Sequence, residues 1–361
     1  MFGGTRRVPD FDGVVTSVCG ESNAFTNNDY TNYYLTVPAR HIDVALQLEA
    51  DRMKGLDLSR HALEVQQHVV TEEYNQRYSN QPYGDMWLLM RPLCYSRHPY
   101  RWPTIGADIS HVSKATLGNV EEFFHRFYRP DNAIVAVAGN IDIDETMRLV
   151  ERLFGGTVGG SEPCRCRHLD PEPEPCEAQC LTVRRAVPND SFYTAYLMCD
   201  RHSDDYYAFD LISDILSNGD SSRLYDTLVR RQALFSSIDA AITGDIDRGL
   251  FFVSGKLCEG VPMDEAERAV RDQLARMADE QVDSYELEKV VNKFESTFLF
   301  SQYRVSDRAH NLCYYSFIGD TDRINSEPSR YRDVTPGRLR LAASQCFRPE
   351  RARTLYYMRE D

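Results

Sequence analysis

Residues 25–53, FTNNDYTNYYLTVPARHIDVALQLEADRM, decide the fold of this chain because their pattern occurs a second time. They read as alternating strand residues around a polar turn, followed by an amphipathic helix. Residues 241–277, AITGDIDRGLFFVSGKLCEGVPMDEAERAVRDQLARM, read in the same way. Tyr34 then falls opposite Phe252, at an offset of about 218 residues, which indicates an internal repeat.

The segments after each hairpin repeat at nearly the same offset. The helical stretches ALEVQQHVVTEEY and YELEKVVNKFEST place Val69 over Val290. The stretches FYRPDNAIVAVAG and CFRPERARTLYYM place Pro130 over Pro349, and each reads as a helix end, a proline turn and a buried strand. The repeat therefore predicts an α+β fold of two homologous modules, 1–163 and 179–361, each an antiparallel sheet packed with helices.

Composition is consistent with two folded domains and excludes two classes of partner. The chain has 361 residues, of which 42% are hydrophobic, enough for two ordinary cores. A net charge of -14 argues against a nucleic-acid partner, because phosphate-backbone binding needs clustered cations. No apolar run approaches the length of a membrane span, so no membrane partner is expected.

The segment between the modules, 164–178, contains or adjoins a group of cysteines. Cys164, Cys166, Cys176 and Cys180 flank His168 in the stretch CRCRHLDPEPEPCEAQC. A zinc knuckle is one reading, but the spacing lacks the paired CxxC pattern of structural zinc sites. Because the stretch is rich in proline and charge, an interdomain linker is the favoured interpretation.

The first module is shorter than the repeat requires. At the same offset Met1 lies opposite about Gly219, and the second module has a predicted strand near 180–199 and helix near 204–217 before that point. We therefore expect about 40 further residues of the first module upstream of Met1. The alternative is a diverged first copy that folds without them.

The helix predicted over 59–77, SRHALEVQQHVVTEEYNQR, carries a carboxylate on its apolar face. Its apolar residues fill one arc of the helical wheel: Ala62, Leu63, Val65, Val69, Val70 and Tyr74. Glu73 lies near the centre of that arc and Glu72 at its edge, whereas the repeat places Phe294 at the position of Glu73. A buried carboxylate is costly unless it is paired or binds a metal. Glu73 therefore has three readings: it pairs with a buried arginine, the helix is rotated, or it has a metal-binding or catalytic role.

His61, Glu64 and His68 form a less convincing metal pattern on the same helix. The two histidines are separated by two turns, about 10.5 Å along the axis, which is too far to share one ion easily. All three side chains fall on the polar face, opposite Glu73. We interpret them as surface residues.

Several motifs, in order, resemble the inverted zinc metallopeptidases, which include pitrilysin, insulysin and the mitochondrial processing peptidases. The motifs are MFGGT, CGESNAFTNNDYTNYYLTVP, LEADRM, VVTEEYNQR, HPYRWPTIG and FYRPDNAIVAVAGNID. The resemblance extends through both modules and is closest to the short bacterial zinc proteases. It implies the two-module fold that the repeat predicts, and a zinc-dependent hydrolysis of peptides.

The resemblance also implies where the zinc ligands lie. In this family two histidines of an HxxEH motif bind Zn²⁺ with a downstream glutamate, and the glutamate of the motif is the general base. Alignment on MFGGT places that motif just upstream of Met1. Glu73 then matches the third ligand, with Glu72 as the alternative, and none of the catalytic residues is present.

For substrate binding, the resemblance points to the strand Asn23, Ala24, Phe25 and Thr26, which pairs with an extended peptide in the family. On the residues alone, the same stretch reads equally as an ordinary hairpin with a turn at 27–29. The family's SRL…R…Y element appears here as SSRLYDTLVRRQALFSS, with Phe235 in place of the tyrosine and Arg230 or Arg231 as the nearby cation. Gln66 and Cys19 also depart from the family's pattern, so substrate preference does not carry over.

Two functions follow as hypotheses. One is a zinc endopeptidase or oligopeptidase, and the other is a non-catalytic member that serves as a partner subunit or peptide-binding scaffold. Large relatives enclose peptides between two halves of two modules each, so a two-module chain is expected to form a homodimer or a heterodimer with a related subunit. A cytoplasmic location is the default expectation.

Overall fold

The computed structural model describes residues 4–156 and 169–360. Within these ranges the strands are β1 Glu21–Thr26, β2 Thr31–Thr36, β3 Gln179–Arg185, β4 Ser191–Leu197, β5 Phe235–Ile242, β6 Leu250–Leu257 and β7 Arg353–Arg359. The helices are α1 Phe11–Ser17, α2 Ile42–Lys54, α3 Arg60–Tyr74, α4 Met86–Cys94, α5 Ser110–Ser113, α6 Leu117–Phe127, α7 Ile143–Phe154, α8 Asp205–Ser217, α9 Met263–Asp279, α10 Ser284–Ser301, α11 Val305–Phe317, α12 Arg323–Arg332 and α13 Pro336–Cys346. The predicted α+β class is confirmed.

The strands form two sheets of unequal size. Strands β1 and β2 pair as an antiparallel hairpin, and the other five strands lie in the order β3-β7-β4-β6-β5. The larger sheet is mixed rather than antiparallel throughout, because β3 runs parallel to β7. The predicted strand and helix before Gly219 are present as β4 and α8.

The internal repeat is visible in the structure. Asn23 lies opposite Tyr34 in the β1–β2 hairpin, and Ala241 lies opposite Phe252 in the β5–β6 hairpin. These pairs give both hairpins the same register at the predicted offset. The match continues in α6 and α13, each followed by a short 3-10 turn, Pro130–Asn132 and Pro349–Arg351.

The repeat fails at the strand that should follow Pro130. In the second module, β7 follows the turn and lies between β3 and β4. In the first module, residues 133–138 form no strand, and Ile134 and Val135 are 45% and 48% exposed. The prediction of a buried strand here is wrong. The physical reason is that the described part of the chain places no neighbouring strand beside these residues, so their backbone groups have no ladder to join.

The compact units of the structure are not contiguous in sequence. Unit 1 contains residues 4–75, 104–156 and 300–324, and unit 2 contains 76–103, 169–299 and 325–360. Helix α4 of the first sequence module therefore belongs to unit 2, and α11 of the second belongs to unit 1. The division at 164–178 stays a prediction about the repeat, and its described part, 169–178, lies in unit 2.

Unit 2 has an extensive core on both faces of its sheet. On one face, β4, β5 and β6 pack against α8, α9, α10 and α13 around buried residues such as Phe251 and Ile212. On the other face, Met90 and Tyr95 pack against Ala195 and Leu355. This burial on both faces accounts for the nearly continuous apolar sequence of β4.

Unit 1 has a much smaller core. Its buried apolar cluster consists of Phe11, Val15 and Leu48, with partly buried neighbours on α1, α2 and β2. Large apolar side chains of the same unit are exposed: Val65, Val69, Phe123, Ile134, Val135, Ile143 and Met147. Because exposed apolar patches of monomers mark surfaces that other segments or partners cover, these side chains are candidates for such a contact.

An acid–tyrosine pair lies inside unit 2. Tyr331 of α12 donates its hydroxyl hydrogen to Asp210 Oδ2 of α8 at 2.5 Å. Burial, with Asp214 one turn further along α8, raises the pKa of Asp210 to about 6. Because the folded state holds this proton more tightly than the unfolded state does, ionisation of Asp210 costs stability above about pH 6, and this cost disappears toward pH 4.

The substitution Asp210→Asn tests this cost directly. It removes the charge and keeps an oxygen that accepts from Tyr331, so we expect the free energy of unfolding at pH 7.5 to rise by up to about 3 kcal/mol. At pH 4 the gain should be close to zero. Urea unfolding at the two pH values measures the difference, and an equal gain at both would show that ionisation is not its cause.

Two predictions concern features outside the folded cores. Cys164, Cys166 and His168 lie outside the described residues, as do Met1 to Gly3 of the MFGGT motif, whereas Cys176 and Cys180 are exposed free thiols. The zinc-knuckle reading therefore stays untested. Among the described helices, none combines the length and the apolar character that crossing a membrane requires.

Candidate functional site

The β1–β2 hairpin is shaped by its polar turn. Asn27 Oδ1 accepts hydrogen bonds from the backbone N–H groups of Asp29 and Tyr30, both at 2.9 Å. The Asn27 N–H donates to the Tyr30 carbonyl at 3.1 Å, which closes the hairpin. An asparagine that bonds its own backbone two residues on is a common turn former, so the predicted hairpin with a turn at 27–29 is confirmed.

The register of this hairpin determines which backbone groups of β1 point away from β2. Asn27 and Tyr30 form a hydrogen-bonded pair. Such pairs alternate along an antiparallel ladder, so Phe25 with Asn32 and Asn23 with Tyr34 are hydrogen-bonded pairs as well. The N–H and C=O groups of Ser22, Ala24 and Thr26 therefore point to the outer edge. Within the described ranges, no strand other than β2 pairs with β1.

Among the residues that the structure describes, a side chain of the same strand is what bonds to the outer edge of β1. Asn23 Oδ1 accepts from the Ala24 N–H at 2.8 Å, and Asn23 itself is exposed. An exposed amide can rotate away when another acceptor arrives, so the Ala24 N–H remains available to a peptide. An edge strand with such free groups is a template for an added strand.

At the corresponding edge in unit 2, an outward carbonyl has a partner from a neighbouring helix. The hydroxyl of Ser217, the last residue of α8, lies 2.8 Å from the Ala240 carbonyl of β5 and 2.9 Å from Asp239 Oδ1, and its single hydrogen is directed to these acceptors. Ala240 is one of the outward-pointing residues of β5, because Thr243 and Leu250 form a hydrogen-bonded pair. The two homologous hairpins thus differ at the edge: among the described residues, another element bonds to the outward Ala240 carbonyl of β5, and none bonds to the outward groups of β1.

A buried arginine supports the hairpin from its inner face. Arg52 of α2 is 2% exposed, pairs with Glu49, and lies over the rings of Phe11 and Tyr33 at 4.6 and 5.0 Å. The Tyr33 hydroxyl lies 2.7 Å from that of Tyr128, and burial raises the pKa of Tyr33. Sequence reasoning missed this support, although Arg52 follows Leu48 by four residues on the buried stripe of α2 and could have been found there.

Glu73 lies at the carboxyl end of α3. The helix begins at its cap Ser59, whose Oγ accepts from the Ala62 N–H at 3.2 Å, and Gln67 donates to the carbonyls of Val112 and Ala115 at 2.9 and 3.0 Å. Glu73 is half-buried and Glu72 is exposed. The position fits a side chain that can reach a ligand, and its role as a zinc ligand stays a prediction.

The predicted burial of the apolar face of α3 is wrong. No residue of α3 is buried, and Val65 and Val69 are 43% and 53% exposed. The helix is held through Gln67 at one border of its apolar stripe, next to the half-buried Leu63 and Val70, and Val65 and Val69 lie on the uncovered part. His61, Glu64 and His68 are exposed, as predicted, and Phe294 stacks on Tyr331 with 3.5 Å between ring centroids.

The described residues do not form a complete zinc site. Structural and catalytic zinc sites use at least three protein ligands from His, Cys, Asp and Glu. Across residues 4–156 and 169–360, no three such side chains are close enough together to hold a metal ion. Glu73 therefore stands as a single candidate ligand, which cannot bind zinc tightly by itself.

The residues predicted to bind substrate in unit 2 have different surroundings from those expected. Phe235 is 1% exposed, and its ring occupies the space that a side chain at Gly255 would fill. It is a core residue, which does not fit the substrate-binding role that the family position implies. Arg230 and Arg231 are exposed in the π-helical turn Tyr225–Arg231 and both pair with Asp226. Their contact with substrate stays a prediction.

Comparison with known families matches both parts of the chain. A family model described as "Peptidase M16 inactive domain" matches residues 114–294. A second, described as "Insulinase (Peptidase family M16)", matches residues 1–89. The first alone spans half of the chain.

Named relatives and solved structures agree with these matches. The chain is 25% identical over 352 residues to "Zinc protease PqqE" of Helicobacter pylori, covering 96% of this chain and 78% of that protein. It is 23% identical to "Uncharacterized zinc protease SCO5738" of Streptomyces coelicolor, covering 95% and 75%. The crystal structure of a protease from Helicobacter pylori superposes with a TM-score of 0.93 at 23% identity, over 99% of this chain and 87% of that one. A peptidase M16 inactive domain from Pseudomonas fluorescens superposes with a TM-score of 0.86 at 16% identity, over 97% of this chain and 83% of that one. It has a similar fold.

Proposed function

Because the chain belongs to the peptidase M16 family, we propose that it acts in the hydrolysis of peptides, which it holds as an added strand along β1. The observation that supports this most is the edge at Ser22, Ala24 and Thr26, to which no other described element bonds, whereas Ser217 bonds to the outward Ala240 carbonyl of the homologous edge of β5. Main-chain pairing at an edge holds a peptide with little dependence on its sequence. The substrate class is therefore unfolded or flexible peptide segments.

We further propose that the working enzyme is zinc-dependent, with Glu73 as one ligand. The support is that several relatives are named zinc proteases and that Glu73 is accessible at the end of α3. Since the described residues supply no complete ligand set, the other ligands must come from elsewhere. They would lie outside the described residues or on a partner subunit.

The second candidate function is a non-catalytic subunit that binds peptides for a catalytic partner. It is favoured by the same lack of a three-ligand cluster within the described ranges. The uncovered apolar side chains of unit 1, such as Val69 and Phe123, suit a chain that is completed by another segment or subunit. Both candidates use the edge of β1, and both predict an assembly larger than this chain.

Zinc content distinguishes the two candidates. We expect the 361-residue chain alone, dialysed against micromolar zinc, to retain far less than one equivalent, and Glu73→Gln to change nothing. Protein isolated from its native cells should hold one zinc and cleave unfolded peptides if the chain is catalytic, and hold none if it is a subunit without metal. Stoichiometric zinc in the isolated chain, lost in Glu73→Gln, would contradict the incomplete site described above.

A further inference from the structure

The larger sheet ends on one side in β3, whose outer edge has no strand beside it within the described ranges. At one end of β3 the Gln179 N–H donates to the Ala352 carbonyl at 3.1 Å, and at the other end the Arg185 carbonyl accepts from the Glu360 N–H at 2.9 Å. Because the direction of the backbone groups alternates along a strand, every second residue from 179 to 185 bonds to β7. The residues between them direct their N–H and C=O groups outward: Cys180, Thr182 and Arg184.

This outer edge is accessible over most of its length. Among the described residues, no other element bonds to the outward backbone groups of Cys180 or Thr182, and the Arg184 carbonyl accepts from the neighbouring side chain of Arg185 at 2.9 Å. At the opposite edge of the same sheet, Ser217 bonds to an outward carbonyl of β5. Open strand edges pair with other chains unless charges, prolines or loops block them. The edge of β3 is therefore a surface to which another strand can add.

A second copy of the chain fits this edge in one antiparallel register. The outward residues of both strands must meet in hydrogen-bonded pairs, and a two-fold axis through Thr182 achieves this for all of them. Thr182 then pairs with Thr182 of the second copy, and Cys180 pairs with Arg184 of the second copy. A two-fold axis at Leu181 or at Val183 leaves one outward residue of each strand beyond the end of the other strand.

The side chains are also complementary in this register. Leu181 and Val183 are half-buried and pack against the core that contains Tyr193 and Leu355. Leu181 lies opposite Val183 of the second copy in a non-hydrogen-bonded pair, whose Cα atoms are about 4.5 Å apart and whose side chains share one face. Pairing therefore extends this apolar face of the sheet from one copy to the other.

The charges at the two ends of β3 favour the antiparallel direction. Glu177 comes just before the strand and Arg184 lies near its end, and both are exposed. Antiparallel pairing brings the amino end of each strand to the carboxyl end of the other, so opposite charges approach one another. Parallel pairing of two copies would place like charges side by side. The edge thus matches a second copy of itself in charge as well as in register.

We propose that the chain forms a homodimer in which the two β3 strands pair antiparallel about a two-fold axis at Thr182, so that the two five-stranded sheets become one continuous sheet. The inference goes beyond the proposed function and does not rest on it. Peptides are proposed to bind along β1, whereas the dimer uses β3.

Analytical ultracentrifugation of the 361-residue chain over a range of concentrations tests the dimer. Thr182→Pro removes the outward N–H at the axis and keeps every bond to β7. We expect it to weaken dimerisation about a hundredfold, because main-chain bonds at the axis are lost and the proline rings block the approach. Thr182→Val keeps the N–H and should stay within about threefold of the original chain. Ala24→Pro in β1 should dimerise as the original chain does.

Disulfide cross-linking tests the register without proline. Thr182→Cys places two thiols at the axis, where the Cα atoms of a hydrogen-bonded pair are about 5.5 Å apart, within the range of a disulfide. Gln179→Cys is the matched control, because the two copies of this exposed position lie about 20 Å apart along the paired strands. Both variants are oxidised mildly with copper phenanthroline, and peptide mapping identifies the disulfides.

We expect a dimer that Thr182→Pro weakens, and a disulfide between the two copies of position 182 but none between the two copies of position 179. Three results would overturn the proposal: a chain that is monomeric at every concentration, a dimer that Thr182→Pro leaves intact, or cross-linking at position 182 no greater than at position 179. If the proline variant does not fold, the cross-linking alone decides.

Discussion

Replacing Ala24 by proline should lower the affinity for an extended peptide about a hundredfold. The Ala24 N–H points away from β2, so proline removes the outward donor without removing a bond of the hairpin. The ring also occupies the space beside the edge, which prevents a peptide strand from approaching at that point. The lost main-chain bond and the steric block together account for an effect of this size.

The matched control is Ala24→Val, which keeps the N–H group and favours the strand conformation. Its peptide affinity should remain within about threefold of the original, since the edge groups are unchanged. Both variants are compared by the anisotropy of a labelled peptide without an aromatic residue. Equal affinity of the proline variant and the original chain would show that peptides bind elsewhere.

A pair of identical substitutions should have very different effects on stability. Val253→Ala in β6 removes two methyl groups from a side chain that is 0% exposed, and we expect a loss of about 2 to 3 kcal/mol in the free energy of unfolding. Val69→Ala in α3 removes the same groups from a side chain that is 53% exposed. It should change the free energy of unfolding by less than about 0.5 kcal/mol.

Urea unfolding of the isolated chain, monitored by hydrogen exchange, measures both changes in the free energy of unfolding. The exchange is read in peptides from each unit. A loss of 2 kcal/mol or more for Val69→Ala would mean that the apolar face of α3 is covered in solution, against the structure. The same substitution made in protein from native cells is informative as well. A large loss there, and none in the isolated chain, would place α3 in contact with an added segment or subunit.

The parts of the fold that the sequence predicts best are those set by local patterns. Both hairpins, their registers and the proline turns at Pro130 and Pro349 follow from turn chemistry and alternation, which act over a few residues. Comparison of the two copies then transfers each element from one module to the other. For this reason the α+β class and the position of α8 are recovered without any structural information.

The failures occur where a pattern depends on what packs against it. Periodicity shows that Val65 and Val69 share a face of α3, but it does not show that anything covers the face. The same limit applies to Ile134 and Val135, whose strand needs neighbours to form. A family position implies a substrate-binding role for Phe235, but this residue lies at the start of β5 with its ring against Gly255, in the core.

The sequence also does not show that α4 packs in unit 2 and α11 in unit 1. Repeat analysis divides a chain into contiguous modules, whereas packing assigns each helix to the surface that it buries. Trp87 of α4 packs against Phe252 at 4.7 Å between ring centroids, and His310 of α11 contacts Phe25 at 5.5 Å. The contact between Phe25 and His310 could not be found from sequence, because the two residues are about 280 positions apart along the chain.

The most direct test of the account is amide hydrogen exchange along β1 and β5, measured by NMR with and without a saturating extended peptide. We predict that the peptide slows exchange at the outward amides of Ser22, Ala24 and Thr26, since these donors become bonded. The outward amides of β5 at Ala240 and Ile242 should exchange at unchanged rates. Protection at β5 alone, or none at β1 while the peptide is bound, would contradict the claim that this chain holds peptides along the edge of β1.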